Sequence, residues 1–402
     1  MTTRTQATFA SPISQAKSWV AGMTFPVDRP LLNLSQAAPV AAPPEGLRAA
    51  MAEALHDTST HLYGPDLGLP ALREALAERT VRIYGGEVQA QQVAITSGCN
   101  QAFAAAIATL CGEGDEVLLP TPWYFNHKMW LDMSGVRAVP LPCLAGLLPD
   151  IDAAQHLITA RTRAIVLVTP NNPTGAEYPA DMLSAFRDLA RRHGLALIVD
   201  ETYRDFHSRE HSHSAAPHDL FTDPHWDDTL VHLYSFSKAY RLTGHRVGAM
   251  VASPKRLAEA EKFIDATTIC PSQLGQKAAL WGLENLSDWL AGERAEILHR
   301  RAAIMGGFPQ LHAQGWHLLG CGAYFAYVQH PFDLRADLFA RHLVREAGVL
   351  ALPATMFTPV GDASGSHQLR LAFANIDVSG IGHLFDRLSR VALPLAPVAS
   401  TP

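Results

Sequence analysis

Two uninterrupted apolar runs, Ala164-Ile165-Val166-Leu167-Val168 and Leu195-Ala196-Leu197-Ile198-Val199, constrain this chain more than any other feature. Each has the length of a strand, and neither alternates with polar residues. A strand with one wet face would alternate, so both runs need cover on both faces. Residues 180–192, between them, carry helical spacing. The same alternation extends in both directions. Residues 93–96, 116–119, 230–234 and 247–252 read as strands, 138–141 as a weaker one, and 100–110 as a helix. Such a succession predicts an α/β fold with a parallel sheet between helical layers.

The flanks read differently. Residues 1–20 form a mobile or wrapping arm, 31–35 a short extended piece, and 45–55 a helix. Pro70 opens a helix over 71–76, a position that suits proline. Beyond about residue 255 the pattern changes. A long helical region over about 290–308 precedes strands at 322–329 and 367–374, which flank a helix at 334–346. This predicts a second, α+β domain. The expected division is an arm and part of the small domain in 1–44, a large domain in 45–290, a small domain in 291–392, and a disordered tail in 393–402.

Composition excludes several classes. The formal net charge of −6 disfavours non-specific nucleic-acid binding. The first residues lack an apolar signal-peptide core. The uncharged run 88–112 carries too many glutamines and other polar groups to span a membrane cheaply. Five cysteines without a C-x-x-C pair suit buried free thiols in a reducing compartment, hence a cytoplasmic protein. The histidines His207, His211, His213, His218 and His225 lack compact metal-ligand spacing and read as a solvated loop, so no metal is expected.

The chemistry gathers where the strands end. In open α/β sheets, ligands bind beyond the carboxyl ends of strands. There stand Thr96-Ser97-Gly98-Cys99-Asn100, Pro122-Trp123-Tyr124 with His127 nearby, Asn171-Asn172-Pro173-Thr174-Gly175, Asp200-Glu201-Thr202-Tyr203, and Ser235-Phe236-Ser237-Lys238 followed by Arg246. A glycine turn opening a helix suits a phosphate, although a plain helix cap looks the same. A carboxylate at the end of an apolar strand needs a cationic partner, or serves as an N-cap. A deprotonated lysine can form a Schiff base with a carbonyl, and hydroxyls with an arginine suit a phosphate. Pyridoxal 5'-phosphate carries both groups. Arg370, alone in an apolar strand, suits a carboxylate clamp or a structural ion pair.

In order and spacing these clusters resemble the class I/II aminotransferases of pyridoxal-phosphate fold type I, from about Leu32 to about Arg390. The resemblance implies a three-layer αβα large domain with a mostly parallel seven-stranded sheet, plus a smaller α+β domain. It implies a ping-pong aminotransferase acting on an α-amino acid and a 2-oxo acid. Lys238 would be the Schiff-base lysine and proton shuttle, and Asp200 the partner of the pyridinium nitrogen. Asn172 and Tyr203 would bond the ring oxygen, Tyr124 would stack on the ring, and His127 would support Asp200. Gly98, Cys99, Asn100, Ser235, Ser237 and Arg246 would cradle the phosphate. Tyr63 would reach the phosphate of the neighbouring subunit, which implies a homodimer with shared active sites. Arg370 would clamp the substrate carboxylate beside Asn172 and Ala37.

Three departures from the family pattern bear on substrate choice. Ala37 and Ala354 stand where glycine is usual, and Arg241 where a small or apolar residue is usual. Asn100 replaces the lysine with which a dicarboxylate-using branch holds a distal carboxylate, so aromatic or other neutral amino donors are expected. β- or γ-elimination uses the same residue set and is the alternative. An effector domain of a transcription regulator is a more distant one, because about thirty residues before the catalytic pattern are too few for a helix-turn-helix module.

Overall fold

The computed structural model describes residues 3–209 and 216–396. A short strand, β1 (Leu32–Asn33), precedes the seven strands of the main sheet. These are β2 (Val93–Thr96), β3 (Glu116–Pro120), β4 (Arg137–Leu141), β5 (Thr162–Val168), β6 (Ala196–Asp200), β7 (Leu230–Ser235) and β8 (Gly248–Val251). Their order is β2-β8-β7-β6-β5-β3-β4. All neighbours are parallel except β8, which runs antiparallel to both β2 and β7. The fold is therefore the expected α/β architecture with a mostly parallel seven-stranded sheet.

The apolar runs are continuous because successive residues enter two different cores. Ile165, Leu167, Leu197 and Val199 pack with Leu183, Phe186 and Leu189 of the helix Ala180–Arg192. Ala164, Val166, Ala196 and Ile198 pack with Ala102, Phe103 and Ala106 of the helix Cys99–Leu110 on the opposite face. The two-residue period of a strand divides each run between the layers.

A second body is built on β9 (His317–Gly322), β10 (Phe325–Gln329), β11 (Val349–Leu350), β12 (Leu352–Pro353) and β13 (Gln368–Leu371). Four of these form an antiparallel sheet in the order β12-β13-β10-β9, while β11 pairs in parallel with β1, Leu32 opposite Val349. The segment expected as one strand over 322–329 is in fact the tip and second arm of the β9–β10 hairpin. Ala323 sits at φ +44 in its turn. Apolar Ala323 and Tyr324 conceal that turn in the sequence, where Gly or Asn would have marked it. The helix expected over 334–346 is α-helical over Ala336–His342 and π-helical over Leu343–Ala347.

The remaining differences follow from packing. Over its described residues the arm is ordered: the helix Pro12–Val20 buries Ala16 against Phe125, Leu350 and Phe357. Two further helices, Pro254–Thr268 and Gln273–Asn285, pack in the cores on opposite faces of the main sheet. His207 and His218 are buried, not solvated, while His211 and His213 lie outside the described residues. Of the cysteines, all free, Cys99 alone is buried and the other four are half-buried. Most of the segment expected to be a disordered tail, 397–402, lies outside the described residues. Among the described residues, no helix is long and apolar enough to cross a membrane.

Candidate active site

A cavity of about 380 Å³ opens beyond the carboxyl ends of β5, β6 and β7. Asp200, the last residue of β6, reaches it at a strand end. Its Oδ1 accepts from Thr202 N at 3.0 Å and Thr202 Oγ1 at 2.7 Å. His127 Nε2 lies 3.2 Å from Oδ2. The His127 ring is itself held against Phe103, with centroids 3.8 Å apart. Burial acts to raise the Asp200 pKa, but the contacts with His127 and Thr202 prevail and hold it below the ordinary carboxylate value.

Lys238 lies in the short helix Phe236–Ala239 that follows β7 directly. Ser235 caps this helix, its Oγ accepting from Ser237 N at 3.2 Å. The Lys238 amine donates to the Ala37 carbonyl at 2.6 Å. Desolvation, reinforced by the Arg246 and Arg370 guanidiniums, lowers its pKa to about 8. A useful fraction of this amine is therefore neutral near physiological pH, as a nucleophile or proton acceptor requires.

The helix Cys99–Leu110 begins at Gly98, whose φ of +85 is a glycine conformation. A Cβ there would lie 2.1 Å from Arg246 Nη2, so the guanidinium sits directly over the helix start. Arg246 Nη1 donates to Thr243 O at 3.0 Å and more weakly to Ser237 Oγ at 3.4 Å. Free backbone N–H groups, a guanidinium and the Ser235 and Ser237 hydroxyls together have the chemistry that suits a phosphate-sized anion.

The turn after β5 faces the second body. Asn171 braces it, its Oδ1 accepting from Thr174 N at 3.1 Å and Thr174 Oγ1 at 2.8 Å. Gly175 meets the β9–β10 hairpin so closely that a Cβ would lie 2.4 Å from Gly322 N. Asn172 is thereby brought to β13, where its Oδ1 accepts from Arg370 Nη1 at 3.0 Å. Arg370 Nη2 donates to the Ser35 carbonyl. The guanidinium lies 5.0 Å from the Phe357 ring centroid and 5.2 Å from that of Phe325. Burial lowers its pKa to about 10, so it stays charged at neutral pH although no buried carboxylate pairs with it among the described residues.

Tyr124 meets His127 edge-on, with centroids 5.0 Å apart, and accepts from Asn126 Nδ2 at 3.1 Å. Tyr203 is buried, and burial raises its pKa well above the ordinary tyrosine value. Burial likewise raises the pKa of the Cys99 thiol, which disfavours its thiolate form. Of the residues singled out in the sequence, Ala37, Cys99, Asn100, Tyr124, Asn172, Asp200, Tyr203, Ser235, Ser237, Lys238, Arg246 and Arg370 all line this one cavity, with Gly98 behind Arg246. Tyr63 does not: it is 80% exposed, beside Cys270. Sequence reasoning missed Thr202, although it lies inside the Asp200–Tyr203 cluster. It also missed Gln36, next to Ala37, and Ser11 and Ile13, which come to the cavity by tertiary packing with no local signal. Among the described residues, no group of histidines, cysteines and carboxylates could hold a metal ion.

The chain is similar to known proteins over most of its length. A family model described as aminotransferase class I and II matches residues 29–388. Aromatic aminotransferase ISS1 of Arabidopsis thaliana is 29% identical over 93% of this chain and 91% of its own. Arginine–pyruvate transaminase AruH of Pseudomonas aeruginosa is 31% identical over 90% of this chain and 89% of its own. A single mutant of the aspartate aminotransferase of Thermus thermophilus superposes with a TM-score of 0.85 at 25% identity, covering 97% of this chain and 99% of that one.

Proposed function

The chain belongs to the aminotransferase class I and II family, and from that premise we propose that its cavity holds pyridoxal 5'-phosphate at Lys238 and serves the transfer of an amino group from an α-amino acid to a 2-oxo acid. That it is a transaminase follows from the family and from its similarity to named aminotransferases. The observation that carries the assignment to this cavity is the Lys238 amine, lowered to about 8, sharing one cavity with the buried carboxylate of Asp200 and the guanidiniums of Arg246 and Arg370.

The residues present fit the cofactor. The Gly98 helix start under Arg246 matches a phosphate, and Asp200, held anionic, matches a protonated ring nitrogen. Bound there, pyridoxal phosphate would supply an aldehyde for the amine and a ring that takes up the electron pair released at the substrate α-carbon. Asp200 would keep a negative charge at the ring nitrogen, and His127 and Thr202 hold Asp200 in place. Asn172 and Tyr203 would hold the ring oxygen, and Tyr124 the ring face. Lys238 Nζ, freed when the substrate amine takes its place, would accept the proton from the α-carbon. Arg370 holds the α-carboxylate with the N–H groups that Asn172 and Ser35 leave free.

We extend the reading to a cytoplasmic homodimer. The rim beside Tyr63 also exposes Leu62 and Ile269, which suits an interface through which Tyr63 completes the partner's phosphate site. The division 1–44, 45–290 and 291–392 is supported by Leu47 and Leu290 packing in the core of the main sheet while Leu34 and Ile297 pack in the other. The charged residues lining the cavity are Lys238, Arg246, Arg370 and Asp200, each with a role above, so amino donors with neutral side chains fit best.

The test is a half-reaction screen. Single amino acids are added to the cofactor-loaded enzyme without a 2-oxo acid, and conversion of the bound cofactor to its aminated form is followed by absorbance. Stoichiometric conversion by neutral donors, abolished in Lys238→Ala, is expected. Steady release of a 2-oxo acid and ammonia would instead assign elimination.

A further inference from the structure

Arg241 matched no family pattern, and the structure gives it a specific set of partners. It lies three residues after Lys238 with φ +55, a strained conformation for a side-chain-bearing residue. Its Nε and Nη2 bond both carboxylate oxygens of Glu293, at 2.9 and 2.7 Å. Its Nη1 donates to the Ala42 carbonyl at 3.0 Å. Its guanidinium lies 5.3 Å from the Trp289 ring centroid.

Ala42 and Glu293 occupy the two stretches where the chain passes between the bodies, and Trp289 packs against the first core just before the second crossing. On the first crossing, Leu34 and Ala37 pack in the core of the second body and Leu47 in that of the first. Ala42 lies between. On the second, within the helix Ser287–His312, Leu290 packs in the first core and Ile297 in the second. Glu293 lies between. One guanidinium therefore holds both crossings to the turn that follows the Lys238 helix. The near end of the first crossing is tied to the second body, since Asn375 Nδ2 donates to Asn33 O at 3.0 Å and to Gln36 O at 2.5 Å, and Arg370 to Ser35 O.

We propose that Arg241 is a positioning residue: a clamp on the hinge between the two bodies that sets how far Arg370, on one, stands from Lys238, on the other. It touches neither substrate nor cofactor, since it is not part of the cavity lining. The planar, bidentate geometry suits the role, because a fork bonded at three points resists rotation as a single ammonium contact would not. The inference rests on the assignment of Lys238 and Arg370 to the two ends of the substrate.

The test uses cofactor-loaded Arg241→Ala, Arg241→Lys and Glu293→Gln enzymes. In Arg241→Ala, KM for the amino acid is expected to rise about tenfold with kcat within about twofold of the parent, the pattern of lost ground-state positioning. Glu293→Gln is expected to follow it and Arg241→Lys to fall between. Amide hydrogen exchange should quicken at residues 36–44 and 287–297 in Arg241→Ala, with cofactor absorbance unchanged. An unchanged KM, even with a lowered melting temperature, would overturn the proposal, and so would loss of cofactor from Arg241→Ala. Failure of the underlying site assignment reads differently, as Lys238→Ala retaining the parent absorbance and turnover.

Discussion

Asp200 and Arg370 are buried charges of opposite sign that line one cavity from two different sheets, and the protein holds them in opposite ways. Asp200 sits at a strand end, bonded to Thr202 two residues later and contacted by His127. Its surroundings favour its charge, and its pKa is lowered. Arg370 lies within β13, bonded to Asn172 and Ser35, neutral groups distant in sequence. Its surroundings disfavour its charge, and its pKa is also lowered. For an acid the lowered value means a satisfied anion; for a base it means a cation short of a counter-charge. Asp200 is thus already partnered by protein groups, whereas Arg370 gains most from an anionic ligand. In the proposed roles, a fixed electrostatic element and a binding element differ in the sign of that imbalance.

Mutation of the first charge should break the chemistry and mutation of the second should weaken binding. Asp200→Ala is expected to lower kcat by on the order of 10²–10³, the usual scale for loss of one preorganised electrostatic group. Single-turnover absorbance measurements check this, and a change confined to KM would erase the distinction. Arg370→Ala is expected to raise KM for amino acids by roughly 10²-fold, in line with the loss of a charge-assisted bidentate contact, with cofactor still bound. Equilibrium titration of the cofactor in this variant separates the two roles, since a parallel loss of cofactor affinity would merge them.

The smallest effect is one of pH. Lys238 is a base whose pKa is lowered to about 8, so it is protonated and unreactive below that value and neutral above it. The rate at which the cofactor-free enzyme captures pyridoxal phosphate should therefore rise about tenfold from pH 7 to pH 9 and level off. Arg370→Ala removes one of the neighbouring cations that lower this value, and the midpoint should move up in that variant. Stopped-flow absorbance over this range measures both, and a midpoint near that of free lysine would remove the premise.

Much of this was legible before any fold was known. The helix Ala180–Arg192 and the strand Val93–Thr96 have the boundaries their periodicity indicates. Asp200 and Asn172 stand out because each follows an apolar run, where a buried polar group needs a reason, and Lys238 and Arg246 because they stand together between two such runs. Local spacing could not show that Ala323 turns a hairpin, that Ser11 and Ile13 line the cavity, or what Arg241 bonds. Those depend on segments that meet only in the folded chain. Arg241 and Glu293 are 52 residues apart, and Arg370 and Ser35 are 335 apart.

The sequence by itself determined the layered α/β architecture and the chemical character of each strand end. The reason is that strand and helix periods, glycine conformations and the cost of burying charge act over a few residues. The tertiary structure alone decided which charges would be satisfied and which left short of a partner. It also brought the two chain crossings under one arginine. The physical reason is distance along the chain: a hydrogen bond between remote segments leaves no periodic trace in either, and its partners are set by how the two sheets pack.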